Sequence, residues 1–150
     1  MATQYTAGIT AGQTSTAAIM NSIGAAAETW TPVITQGVNV TYTNVFARYQ
    51  RIQNIVFVYA RLNITSAGTA GNGVSVSVPV AQKNTLSISG NMSIYDTSAS
   101  TPYNGFAFSI TATTINSAGD WAGTGVWGTN PNVAIANGDV IWINLTYEAA

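Results

Sequence analysis

The sequence predicts an all-β chain, an antiparallel β-sandwich or jelly roll of about eight strands. Three observations predict it. From Trp30 onward apolar residues recur at every second position, the period of a strand with one face buried. Clusters of Gly, Ser, Asn and Pro break this pattern at a spacing of roughly 8–12 residues. Only one short stretch, 14–27, carries helical spacing, so the strands are not joined by helices as they would be in an α/β fold.

The elements follow in order. Residues 1–13 (MATQYTAGITAGQ) lack apolar periodicity and include the small turn-formers Ala7, Gly8 and Gly12, which predicts an extended arm. Residues 14–27 (TSTAAIMNSIGAAA) predict a short helix: a Ser/Thr cluster at 14–16 caps its first turn, and Ile19, Met20 and Ile23 share a face. Such a helix is marginal alone and needs a surface to pack on. Tyr5, Ile9, Ile19, Met20 and Ile23 are therefore the expected attachment and oligomer-interface residues. The division is a 1–28 attachment segment and a 29–150 β-domain. In Asn54–Thr65, Val56, Val58, Ala60, Leu62 and Ile64 point one way, and Phe57, Tyr59, Arg61 and Asn63 the other. Gly73–Val78, Leu86–Tyr95, Phe106–Thr113 and Val140–Tyr147 alternate similarly. Turns are expected at 66–73, Ser98–Pro102, Asn116–Asp120, Thr129–Asn132 and Asn137–Asp139.

Charge narrows the function. Charged residues are 6% of the chain and the net charge is −1, while mean hydropathy is +0.21; an average domain is about a quarter charged. Either a neutral coat of Thr, Ser, Asn and Gly keeps the chain in solution, or copies of itself or another protein cover much of the surface. Charge depletion is what the core of an interface shows. Arg48, Arg51, Arg61 and Lys83 are the only cations, too few to neutralise a phosphate backbone, so nucleic-acid binding is not expected. With no Cys and no His, disulfides, thiolate chemistry and the commonest general base and metal ligand are missing; neither cofactor nor metal is expected. The start MATQYTAGIT has no basic, apolar leader, and the longest strongly apolar run, 55–60, is too short for a membrane helix. Synthesis in a cytoplasm without membrane insertion is the expectation.

No motif carries strong chemistry. Gly123–Gly128 (GTGVWG) spells a dinucleotide fingerprint, but the turn residues at 129–132 cannot open the helix that motif requires, so a glycine-rich strand or loop is expected. Asp96 and Asp120 are the one carboxylate pair worth weighing for glycoside hydrolysis, and both sit in turn contexts where Asp bonds its own backbone. Arg48, Arg51 and Arg61, interleaved with Tyr49 and Tyr59, read as a structural cluster of stacked or acid-paired arginines, or alternatively as an anion or sugar-acid site. Tyr95, Tyr103, Phe106, Trp121 and Trp127 lie in or near loops with Asn104, Asn116 and Asn130. They are candidate glycan or partner contacts, or else ordinary packing. The Asn-x-Ser/Thr triplets at Asn39, Asn63, Asn91 and Asn144 read as accidents of a Thr/Ser-rich chain.

Trp30-Thr31-Pro32, then Phe46 to Ile52 (FARYQRI) and Ile55 to Val58 (IVFV), resemble the β-sandwich module of phage tail-fibre and virion-appendage proteins. There a W-T-P start precedes an R-Y-x-R/K-I-G-x-x-V strand pair. Gln53 and Asn54 depart from it, standing where a glycine turn is common. Thr10–Ile23 is similar to the attachment segments that lead into such modules, and Thr146-Tyr147-Glu148 to their close. The resemblance implies a non-enzymatic virion protein: a homotrimer around a three-fold axis, fastened to major capsid or tail proteins by its N-terminal segment. With no shaft region, a capsid decoration (cement) protein or a short tail-fibre knob is implied. A module recognising a host-surface glycan is the alternative.

Overall fold

A computed structural model describes residues 26–119 and 125–150. Among these the chain is all-β, with no helix. The helix expected over 14–27 lies outside the described residues except for Ala26 and Ala27, which are not helical. The expected arm, 1–13, lies wholly outside them. The expected boundary at 28/29 falls within β1, where Glu28 pairs with Tyr49.

The strands are β1 (Glu28–Thr29), β2 (Ile34–Thr35), β3 (Asn39–Val40), β4 (Tyr42–Ile52), β5 (Ile55–Ile64), β6 (Ser75–Ser77), β7 (Ile88–Asp96), β8 (Thr101–Thr111), β9 (Thr114–Gly119), β10 (Gly125–Val126) and β11 (Val140–Glu148). All pairings are antiparallel, in the order β1-β4-β5-β11-β7-β8-β9-β6-β2-β3, with β10 beside β9. β3 lies at one end of this path and β4 next to the other, yet Thr41 alone separates them in sequence. A single residue spans only about 3.5 Å, so the sheet curls until its ends approach, forming a half-barrel.

Small side chains permit the curl. Gly105, Ala107 and Ser109 occupy the inward positions of β8, and the Ser117 hydroxyl on β9 reaches past them to donate to Met92 O on β7, at 2.7 Å. The inward row of β5 (Val56, Val58, Ala60, Leu62, Ile64) meets that of β11 (Ile141, Ile143, Leu145, Tyr147), and all of these are buried. They form one core with Trp30, Ile34, Met92, Ile94, Ile115, Trp127 and Ile135. Alternation in sequence thus becomes two-sidedness in the sheet.

Two expectations need correcting. The sequence places a turn at Asn116–Asp120, but Asn116–Gly119 belong to β9, with Asn116 paired to Phe108 on one side and Ser75 on the other. Ladder partners on both edges override the turn preference of Asn and Gly. The Ser98–Pro102 turn ends earlier, since Thr101 and Pro102 already begin β8. Pro102 is tolerated there because β9 pairs with β8 only from Phe106 on, leaving that edge free at Pro102.

Candidate functional site

The outward face of β4, β5 and β11 is unusually apolar. Phe46 stacks on Tyr59 with centroids 4.7 Å apart, and the Arg61 guanidinium lies 5.9 Å over the Trp142 ring. Phe57 is 42% exposed and Tyr59 57%, with Val45, Ile52 and Ile55 exposed around them. Register explains the grouping: Phe46, Arg61 and Trp142 lie across one row, and Arg48, Tyr59 and Asn144 across the next. The outward charges of these strands are Arg48 and Arg61, with Glu148 at the far end bound to Lys83 Nζ at 2.6 Å.

The three arginines do not form one cluster. Arg48 and Arg61 are diagonal neighbours on the outward face, while Arg51 stands in the inward register opposite Val56 and donates from Nε to Gln53 O. Pairing with acids does not occur among the described residues, where Lys83–Glu148 is the one salt bridge. The stacking partner of Arg61 is Trp142 rather than a tyrosine.

Nor do the loop aromatics converge. Trp127 is fully buried and meets Tyr103 edge-on at 5.9 Å, so it is a core residue without a free face for a sugar. Tyr103 is partly buried against the same core, whereas Phe106 is exposed on β8 and Tyr95 half-buried on β7. Trp121 lies outside the described residues, as do Tyr5, Ile9, Ile19, Met20 and Ile23. In the glycine-rich stretch, Gly125–Val126 form β10 and a turn follows, so no helix N-terminus is available for a pyrophosphate.

At one end of the half-barrel, buried polar groups lock the loops. Gln36 is fully buried. Its Nε2 donates to Asn72 O and Val133 O, and its Oε1 accepts from Ile135 N. Gly68 and Gly128 press against it, leaving no room for a Cβ at either position. Asp139, also buried, accepts from Thr97 N and Ala136 N. Burial pushes its carboxyl above the usual range, against the downward pull of those two amides. Asp96 accepts from the Ser98 hydroxyl and Ala99 N, which hold its carboxyl below that range. It is the turn-stabilising aspartate its context suggests, and Asp120 lies outside the described residues.

The opposite end carries a polar cleft of about 190 Å3, lined by Gln82, Asn84, Ser87, Ile88, Ser89, Thr146, Tyr147 and Glu148. It opens because the ladder splits. β7 follows β11 only as far as Gly90 opposite Leu145, where a bulge turns it away. Gln82 then bridges Ala149, and Lys83 N donates to Glu148 O. Between these points the β11 edge has no paired strand. The sequence signal was Gly90 (φ 145), a glycine interrupting an alternating stretch.

Among the described residues no group of His, Cys, Asp or Glu could hold a metal, and no helix is long and apolar enough to cross a membrane. No protein-family model, curated protein or solved structure matches this chain.

Proposed function

We propose that the chain is a non-enzymatic structural protein that assembles with copies of itself through the outward face of β4, β5 and β11. The observation that carries this reading is the exposed set Val45, Ile52, Ile55, Phe57, Tyr59 and Trp142 on one sheet face. Monomers rarely leave contiguous apolar patches larger than roughly a few hundred Å2 open to water. A face this short of charge suits a partner equally neutral, and a chain with four cations and five acids supplies that partner in itself. Arg48 and Arg61 can meet aromatic faces of the next copy, as Arg61 already meets Trp142.

The assembly we propose is a homotrimer on a phage particle, a capsid decoration protein or short tail knob, fastened by residues 1–28 to major capsid or tail proteins. The sequence resemblance and the charge poverty support this setting. In the finer architecture of this reading the curl is a sandwich or jelly roll, with the β4-β5-β11-β7 part facing the β9-β6-β2-β3 part.

Light scattering of the full chain at micromolar concentration tests the assembly. A trimer is expected, and the double substitution Phe57→Ser with Tyr59→Ser is expected to give a folded monomer, because both side chains stand outside the core. A wild-type monomer, or a trimer indifferent to both substitutions, overturns the reading. Deleting residues 1–13 is expected to leave a folded domain that no longer decorates particles; full occupancy by the truncated protein would remove the attachment role.

A further inference from the structure

The assembly reading leaves the polar cleft at the end of β11 unused. We propose that this cleft is a binding site for a neutral, hydroxyl-rich ligand the size of one sugar ring. The cleft borders the assembly face, where Thr146 lies opposite Phe57 and Glu148 opposite Ile55, but the inference does not depend on self-assembly or on the loop aromatics, and it rests on three features of the cleft.

The first is an unmet hydrogen-bonding demand. Gln82 is 2% exposed; the Ser89 hydroxyl donates to its Oε1, and its Nε2 has no partner. Whichever way the carboxamide is turned, Ser89 satisfies one end and leaves the other unmet. Buried polar groups are nearly always paired, and this orphan belongs to a residue that lines the cleft, so a small turn of the carboxamide brings its unmet donor within reach of a ligand oxygen.

The second is the split ladder. Between Leu145, where β11 leaves β7, and Ala149, which bridges Gln82, the cleft-side edge of β11 has no ladder partner. Tyr147 turns its backbone to β5 and Lys83 N takes Glu148 O, so the gap leaves only a few backbone groups of Thr146 and Glu148 to a ligand. The Tyr147 hydroxyl is committed to Val80 O, and burial pushes its pKa up to about 12, so the wall it forms stays neutral.

The third is the balance of the lining. Glu148 is the one ionised side chain of the wall, and Lys83 neutralises it at 2.6 Å. Neither an anion nor a cation therefore finds an uncompensated counter-charge. Ile88 and Tyr147 are the apolar residues of the lining; Gln82, Asn84, Ser87, Ser89 and Thr146 supply amides and hydroxyls. Vicinal hydroxyls of a sugar both donate and accept, which matches such a mixture. The volume, about 190 Å3, equals on the order of half a dozen waters.

The test is saturation-transfer NMR on the full chain in its native oligomeric state. Glucose, galactose, mannose and N-acetylglucosamine are the probes, with glucuronic acid and cyclohexanol as charged and apolar comparators. At least one neutral sugar is expected to bind with a millimolar Kd. Ser87→Phe, which fills the cleft, is expected to reduce the signal at least tenfold without changing oligomer size or melting temperature. Asn84→Trp, at an exposed lining position outside β4, β5 and β11, blocks the cleft should Ser87→Phe fail to fold. Gln82→Met is expected to weaken binding by leaving the sugar oxygen without its donor. The proposal is overturned if no neutral sugar gives signal at about 10 mM, if both blocking variants bind as wild type, or if a comparator binds as well as the sugars.

Discussion

Two buried glutamines sit at opposite ends of the half-barrel, and their hydrogen bonds differ. Gln36 makes three, all to backbone groups of loops far away in sequence. Gln82 makes one, to a side chain seven residues along, and leaves its Nε2 empty. The same carboxamide is a fastener where every donor and acceptor is met and marks an opening where one is not. Burial does not distinguish the two glutamines; hydrogen-bond completeness together with a place in a cleft lining does, since Trp127 Nε1 is unpaired too but lies in the core.

The sharpest way to break this comparison is to remove each amide in turn. Gln36→Leu strands Ile135 N, Asn72 O and Val133 O in the interior. At about 1 kcal/mol or more for each unmet group, the loss is expected to be about 3 kcal/mol, or roughly 10 °C in Tm. Chemical denaturation followed by tryptophan fluorescence measures it. A loss below about 1 kcal/mol would show that the loops hold without Gln36.

Asp139 tests the locked end by a second route. Asp139→Ala removes both acceptors from Thr97 N and Ala136 N but also relieves a buried charge, so about 2 kcal/mol is expected to be lost. The pH dependence has a definite sign. Because burial raises the folded carboxyl of Asp139, its proton binds more tightly in the folded state than in the unfolded one. This group's contribution to stability therefore grows as pH falls from neutrality through the raised value. Asp96 behaves oppositely: the Ser98 hydroxyl and Ala99 N–H lower its carboxyl, so its contribution is present above the ordinary aspartate range and is lost as pH falls through the lowered value. Urea midpoints measured between about pH 7 and pH 3 should rise and then fall. In Asp139→Ala the rise should vanish while the fall remains.

Gln82→Leu should do much less. Ser89 loses its acceptor, but an orphan donor disappears with it, and the net change is expected to lie within about 1 kcal/mol of zero. If it matched Gln36→Leu, the two ends would be equivalent and the distinction drawn between them would be void.

The locked end and the cleft were differently legible in the sequence. Alternation exposed the inward rows of β5 and β11 directly, because a period of two survives in sequence whatever the strand pairs with. It also set Phe57, Tyr59 and Arg61 on the other face, although nothing said that this face would present Phe46 and Trp142 beside them; that depends on the β4-β5-β11 register. Gln36, in a Thr-Gln-Gly turn, gave no sign of being a hub, since its partners lie 36 to 99 residues away. Trp127, beside turn residues, read as a loop aromatic because sequence neighbours do not reveal that the curl folds it onto Tyr103. The cleft was invisible except for Gly90, because the splitting of a ladder is a relation among three strands.

The turn at the β4–β5 end offers one more comparison. The Gln53 backbone takes the left-handed conformation, φ 54, in the two-residue turn between Ile52 and Ile55. That conformation costs an L-residue about 1–2 kcal/mol, while glycine would bring an unfolded-state entropy penalty of roughly 0.5–1 kcal/mol. Gln53→Gly is therefore expected to stabilise the chain by about 0.5 kcal/mol, a rise of 1–2 °C in Tm by the usual scaling for roughly 150 residues. Arg51 Nε and Ala149 N bond the Gln53 and Asn54 carbonyls, which glycine retains, so the gain should appear without disturbing the neighbouring cleft. A destabilised Gln53→Gly would mean that the glutamine side chain itself holds this end, and the comparison of the two ends would then need a second fastener beside Gln36.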